Sequence, residues 1–283
     1  MIVDAHHHLW DPARREYPWM TGGRARLRRR MGVEDLREAV APLGVRATVA
    51  VQAATGEEET RELLAAAEGS GGLVAGVVGW VDLTAPDVGE RVAALRSARG
   101  GDRLVGIRHP AEDEPDPDWL ARGEVLAGLR ALCAAGLPYD LLVGPAGLPS
   151  ALRVAQEVPE LALVVDHGAK PSIACGGWEP WASGLAELAA HERVYCKLSG
   201  LVTEAPWDDW RRAGIERYAE RLLELFGPER MMFGSDWPVC TLAAPYAEVL
   251  ELAREVVAGL SEPERDAVLG GTATRFYRLQ PSA

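Results

Sequence analysis

Lysine is nearly missing from this sequence. Of its 30 basic residues, only Lys170 and Lys197 are lysines, and the rest are arginines. Arginine offers a fixed planar fork and keeps its charge, whereas lysine is a compact, titratable ammonium, so these two positions are candidates for needing an ammonium specifically. Long apolar runs are also lacking: none approaches the ~18 residues that a membrane-spanning helix requires. The start "MIVDAHHH" has neither a basic nor an apolar leader region, so no secretory signal is expected. Cysteine is scarce, and Cys133, Cys175, Cys196 and Cys240 fall at no zinc-like or CxxC spacing, which reads as free thiols in a cytoplasmic protein. Positive charge is in deficit as well. A net charge of −12 argues against nucleic acid or an anionic membrane as partner. The one contrary stretch, "RARLRRR" (Arg24 to Arg30), reads as a solvated loop, with an anion-binding loop as the alternative.

What the chain does have is a regular alternation. Short apolar runs rich in β-branched residues ("MIVDAHHH", "VRATVAVQA", "LVAGVVGWV", "RLVGIRH", "LPYDLLV", "LALVVDHG", "ERVYCKLSG", "RMMFGSDW") take turns with amphipathic stretches of helical period, several of which end in glycine. Strands separated by helices of 10–15 residues indicate βαβ units and a parallel sheet. Eight such units over 283 residues predict the α/β class and a (β/α)8 TIM barrel. No linker or low-complexity tract divides the chain, so residues 1–283 are expected to form a single domain. The last helical stretch, "SEPERDAVLGGTATRFYRL", is expected to pack outside the barrel as an extra helix.

In such barrels catalysis takes place at the carboxyl ends of the strands, and those ends are polar here. They carry His6-His7-His8, Gln52, Trp80 and Asp82, Arg108-His109, Tyr139-Asp140, Asp166-His167, Lys197 and Ser199, and Asp236-Trp237. Five of the six histidines fall among them. Residues two apart on a strand face the same way, so His6 and His8 share a face with Asp4, while His7 points away as a packed bystander. Two imidazoles at i, i+2, joined by His167 and Asp236, make a zinc-type set with open positions for water and substrate. A hydrogen-bonded polar core without metal is the competing reading. Asp236 is the candidate general base. Gln52, Arg108, His109, Tyr139 and Lys197 are candidate donors to an oxygen-rich substrate or a developing oxyanion, with Trp80 and Trp237 as candidate stacking surfaces. Cys240 reads as a buried thiol, and Glu204 and the "EDEPDPD" loop (Glu112 to Asp118) read as solvated acid.

The motifs "IVDAHHHLWDP", "VQA", "GVVGWVDL", "GIRH", "DHGAKP", "CKLSGLVTEA" and "FGSDWPVC" run in order over essentially the whole chain. They resemble the amidohydrolase-2 family, and within it the sugar-lactonase branch of L-fuconolactonases and L-rhamnonolactonases. That resemblance implies an amidohydrolase-like barrel acting on a small lactone, with one divalent metal, zinc foremost, at His6, His8, His167 and Asp236. By the same resemblance His167 and Asp236 are catalytic and Asp236 activates water. Strand four carries Arg108-His109 in place of the carbamylated lysine of two-metal relatives, and Lys197 lies on strand seven, so a binuclear centre is not expected. A dicarboxylic-lactone hydrolase or a metal-dependent decarboxylase is the alternative within the superfamily, the former calling for several strand-end arginines. Assembly into a homo-oligomer is left open.

Overall fold

In the computed structural model, which describes residues 1–212 and 214–280, each apolar run becomes a strand of one eight-stranded parallel sheet. The strands are β1 (Ile2–His7), β2 (Val45–Val51), β3 (Val74–Gly79), β4 (Leu104–His109), β5 (Tyr139–Leu141), β6 (Leu163–Val165), β7 (Val194–Leu198) and β8 (Met231–Phe233). They are ordered by sequence, each paired with the next. The ring is nearly closed by a single parallel bridge between His7 and Trp237. There the His8 amide donates to the Trp237 carbonyl at 2.7 Å, and the Asp236 amide to the His6 carbonyl at 2.8 Å. The seam therefore joins the two segments that carry His6, His8 and Asp236.

Helices follow each strand on the outside, among them Glu57–Gly69 after β2, Gly123–Ala134 after β4 and Ile215–Arg230 after β7. Strands covered on both faces read as unbroken apolar runs rather than alternating ones, which explains "LALVV" and "RMMF". One core fills the space between strands and helices, with Ala50, Val77, Ile107, Leu141 and Val165 facing Leu129, Leu185 and Leu222. A second fills the barrel itself, built from Val3, Ala5, Val49, Val51, Val78, Val164 and Met232.

The carboxyl-terminal stretch departs from expectation. It is a broken chain of Glu262–Asp266, a π-type turn at Ala267–Gly271 and Thr272–Phe276. Its Ala273, Tyr277 and Leu279 join the interior core, and a Cβ on Gly270 would lie 2.3 Å from the Met1 carbonyl oxygen. The segment thus plugs the end of the barrel at which the strands begin instead of packing on its flank. Among the described residues no helix is long and apolar enough to cross a membrane, and the four cysteines are free, with Cys196 and Cys240 buried.

Candidate active site

At the opposite end, where the strands finish, His6, His167 and Asp236 each present a ligand atom within 4.8 Å of the others. His8 joins them: its Nε2 is 3.2 Å from His6 Nε2 and 3.4 Å from Asp236 Oδ1. His6 Nε2 and His167 Nε2 stand 3.8 Å and 4.0 Å from that oxygen. Donors sharing one ion through tetrahedral bonds of ~2.0–2.1 Å are separated by about 3.3 Å, so His6, His8 and Asp236 have spacings close to those a bound ion needs. The outward nitrogens agree. His8 Nδ1 lies 2.8 Å from the Val51 carbonyl oxygen, to which it must donate, and this turns Nε2 toward the group. His167 Nδ1 meets Ser199 Oγ at 2.9 Å. Burial pushes His6 well below the usual imidazole range and His167 down to about 4, so both rings are neutral at pH 7. Burial raises the Asp236 carboxyl, but His167, His8 and Lys170 outweigh it and leave the group below its ordinary value. It is therefore an ionised carboxylate beside the neutral rings of His6 and His167.

Backbone strain marks this site. His167, Gly168, Ala169 and Lys170 have φ of 53°, 55°, 60° and 49°, four consecutive residues of left-handed backbone, and Asp236 has φ 56°. L-residues lose about 1–2 kcal/mol each in that region and normally enter it singly. The turn is held by its surroundings. Trp181 Nε1 donates to the Gly168 carbonyl at 2.6 Å, and any Cβ on Gly168 would press Leu222 at 2.8 Å. Asp166, just before it, is anchored by Arg108 at 2.8 Å and Lys197 at 2.8 Å. The result is that one short loop aims His167 into the site and carries Lys170 onto its wall.

Asp4 does not share the imidazoles' surroundings, contrary to ideal strand alternation. The β1–β2 register shifts between Asp4 and His7. The Asp4 carboxylate accepts from the His6 amide (3.0 Å), the Ser235 amide (2.8 Å) and hydroxyl (2.6 Å), and Tyr246 Oη (2.8 Å). It staples β1 to the Asp236 loop. His7 is the bystander expected, its Nε2 bonded to Thr48 Oγ1 at 2.9 Å.

Above the group opens a cavity of about 510 Å³. Gln52, Arg108 and His109 line it. Arg108 is fixed by Gln52 Oε1, at 3.0 Å and 2.8 Å, and by Asp166. Its Nη1 also stands 3.3 Å from His6 Nε2, so an ion at that nitrogen leaves Arg108 to Asp166 and Gln52.

Three expected substrate contacts do not reach the cavity. Tyr139 faces the helix layer with the outer core and is fully buried there. Lys197 lies sealed beneath the group, its Nζ 2.6 Å from Asp140 Oδ2, 2.8 Å from Asp166 Oδ1 and 3.1 Å from His6 Nδ1. Trp80 supports from behind, donating to His109 Nδ1 at 3.0 Å. The rings that do line the cavity are Trp19 and Trp207, rather than Trp80 and Trp237. Glu204, Glu112, Asp113 and Glu114 line it too, where solvated acid was expected; each follows the end of β4 or β7, and that position was the available signal. The "RARLRRR" segment divides: Arg24 lines the cavity, while Arg26 donates to the Leu242 carbonyl and Arg28 to the Met20 carbonyl at 2.9 Å, tying the loop down.

A parallel (β/α)8 barrel with a His/His/Asp group, of the composition a metal site takes, at the carboxyl ends of its strands defines a hydrolase-type barrel. The comparisons agree: the pattern of the Amidohydrolase family matches residues 3–279, and the chain belongs to that family. It is 40% identical to an L-fucono-1,5-lactonase of Burkholderia multivorans, over 99% of this chain and 97% of that protein. An L-fucono-1,5-lactonase of Burkholderia ambifaria is 39% identical, over 98% and 95% of the two chains. An amidohydrolase of Burkholderia multivorans, solved with bound zinc, superposes with a TM-score of 0.91 at 39% identity, covering 99% of this chain and all of that one.

Proposed function

We propose that this chain hydrolyses a neutral sugar-derived lactone, of the L-fucono- or L-rhamnono-lactone type, to its aldonic acid. The observation that carries the reading is the likeness to two L-fucono-1,5-lactonases over nearly the whole length of all three chains, together with the ionised Asp236 at the cavity floor. The cavity's charge speaks against a dianionic substrate. Glu16, Glu112, Asp113, Glu114, Glu204 and Asp236 oppose Arg15, Arg24, Arg108 and Lys170, a net of −2, where a dicarboxylic lactone calls for an excess of cations.

The steps follow from the residues. Asp236 Oδ1 is the oxygen facing the imidazoles, which leaves Oδ2 to take a proton from water as that water attacks the lactone carbonyl. Charge developing on the carbonyl oxygen is met by Arg108, already oriented by Asp166 and Gln52, and, in the absence of an ion, by His167, oriented by Ser199. The tetrahedral species collapses by breaking the bond to the ring oxygen, and Asp236 returns its proton to that oxygen, giving the acid and a free hydroxyl. Gln52 and His109 hold the substrate's other oxygens. His6, His8, His167 and Asp236 would hold one divalent ion, zinc by its preference for imidazole and carboxylate. Such an ion, when bound, supplies Lewis-acid polarisation and more acidic water. We further place the enzyme in the cytoplasm, where its free thiols stay reduced.

The test is acid release from a panel of aldonolactones in a pH-indicator assay, repeated after chelation and zinc readdition. Ring opening of L-fucono-1,5-lactone is the expected result. Carbon dioxide release from aromatic or muconic acids, without lactone opening, would place the chain with the decarboxylases instead.

A further inference from the structure

One wall of the cavity is built by two segments that the proposed chemistry does not use. After β7 the chain passes against the catalytic imidazole at Gly200, whose φ is 66° and where any Cβ would sit 2.5 Å from His167 Nδ1. The turn Leu201–Glu204 follows, closed by Thr203 Oγ1 donating to the Gly200 carbonyl at 2.7 Å. Leu201 and Val202 are buried in the core, which leaves Thr203 and Glu204 to line the cavity. Trp207 continues the wall, donating to the Thr203 carbonyl at 3.0 Å. The loop Gly22–Leu27 is fastened over Trp207: a Cβ on Gly23 would lie 2.7 Å from its ring, and the Arg26 guanidinium sits 5.3 Å from its centroid.

We propose that Glu204 is a specificity-determining residue of this site, accepting hydrogen bonds from ring hydroxyls of the substrate. The proposal rests on the lactone reading above and names the feature of the lactone that is recognised. Glu204 is half-buried, yet its carboxylate has neither a hydrogen bond nor an ion pair among the described residues. An ionised carboxylate is an acceptor only, with about four lone-pair sites, and leaving it short of donors while partly desolvated costs free energy. Whatever binds beside it must therefore bring donors. Positive charge is already present beside it, since Lys170 and Arg24 line the same cavity, with Lys170 paired to Glu112. An anion is disfavoured by Glu112, Asp113 and Asp236. Neutral hydroxyls remain, and a sugar lactone carries several around its ring. Burial, with Glu112 and Asp236, raises the Glu204 carboxyl above its ordinary value against the lowering by Lys170 and Arg24.

The experiment compares wild type, Glu204→Gln and Glu204→Ala on two substrates, L-fucono-1,5-lactone and δ-valerolactone, which has the ester but no ring hydroxyl. For Glu204→Ala, kcat/KM on the hydroxylated lactone should fall about 10- to 100-fold, the range for a hydrogen bond to a charged group. On δ-valerolactone it should stay within about twofold. Glu204→Gln, which keeps an acceptor oxygen without the charge, should fall between. Equal losses on both lactones, or none on either, would overturn the proposal. If the wild type opens neither lactone, the lactone reading fails separately, and calorimetric titration with L-fucose decides the role of Glu204. Binding by wild type that Glu204→Ala weakens would uphold it; absent or unchanged binding would overturn it.

Discussion

Two sets of charged groups face the inside of this barrel, one beneath the imidazoles and one above them. Beneath, Lys197, Asp140, Asp166 and Tyr277 are fully or almost fully buried, and each is paired with another charged or hydroxyl group of the set. Lys197 Nζ donates to Asp140 Oδ2 and pairs by charge with Asp166 Oδ1, and Tyr277 Oη donates to Asp140 Oδ2 at 2.7 Å; only Asp140 Oδ1 and Asp166 Oδ1 of this set lack a hydrogen-bond partner among the described residues. Above, Glu204 and Arg24 line a cavity, and their side chains make neither a hydrogen bond nor an ion pair among the described residues. Both sets lie close to the strand ends, and residue type alone does not separate them. What separates them is satisfaction: groups that pair internally hold the scaffold, and groups left short of partners, at the edge of a cavity, await a ligand.

Asp236 lies between the two sets and gives the largest expected effect. Asp236→Asn keeps the shape but removes the proton acceptor, so kcat should drop about 10²- to 10⁴-fold, with the thermal melt essentially retained. Near wild-type turnover by a folded variant would remove Asp236 from the chemistry and leave the upper set without a catalytic floor.

For the lower set, Lys197→Met is the sharpest challenge. It strands Asp140 and Asp166 without their shared cation, and breaking a buried pair in this way costs about 3–5 kcal/mol. Chemical denaturation should report that loss. Were stability unchanged while substrate affinity collapsed, Lys197 would belong with the upper set, as its position at a strand end first suggests.

Glu59 tests the boundary between the sets. It is buried behind the cavity wall, where Oε2 accepts from the amides of Ala53 and Ala54 at 3.0 Å and 2.8 Å. Oε1 has no hydrogen-bond partner, and Arg15 is 4.0 Å away. Burial lifts its pKa from 4.5 to about 7. Between those values the folded chain keeps a proton that the unfolded chain has released, so stability falls as pH rises from 4.5 to 7 and the cost is complete above 7. At 1.36 kcal/mol per unit this amounts to roughly 3 kcal/mol. Glu59→Gln should therefore match wild type at pH 4 and exceed it at pH 8 in denaturant melts. A gap that does not widen with pH would show that Arg15 satisfies the carboxylate.

The barrel was legible because a short apolar run covered on both sides and a helix of period 3.6 leave different patterns in the chain. That His6, His8, His167 and Asp236 come together was legible because strand ends converge at one mouth and few histidines lie elsewhere. Tyr139 and Lys197 were misplaced for a local reason: a strand of three residues such as β5 does not reveal which of its side chains turns inward, and depth along β7 separates a cavity wall from a sealed floor. Glu204 escaped because its exposure is set by Leu201 and Val202, which bury their own side chains and leave it facing inward. The left-handed turn from His167 to Lys170 contains one glycine, and the contacts that hold it come from Trp181, Leu222 and Arg108, all distant in sequence.

Tyr277 gives the smallest expected effect. Its hydroxyl enters the barrel from the plug at the strands' starting ends and reaches Asp140, which in turn meets Lys197 and, through it, His6. Tyr277→Phe removes one donor to a buried carboxylate, for about 1.5 kcal/mol, while Lys197 still holds that oxygen. If the lower set is only scaffold, denaturant melts should show this loss and kcat should change no more than a few-fold. A 100-fold fall in kcat at nearly unchanged stability would mean that the plug sets the His6 imidazole through Asp140 and Lys197. Satisfaction would then be no guide to idleness, because a sealed, well-paired group would be tuning the open site.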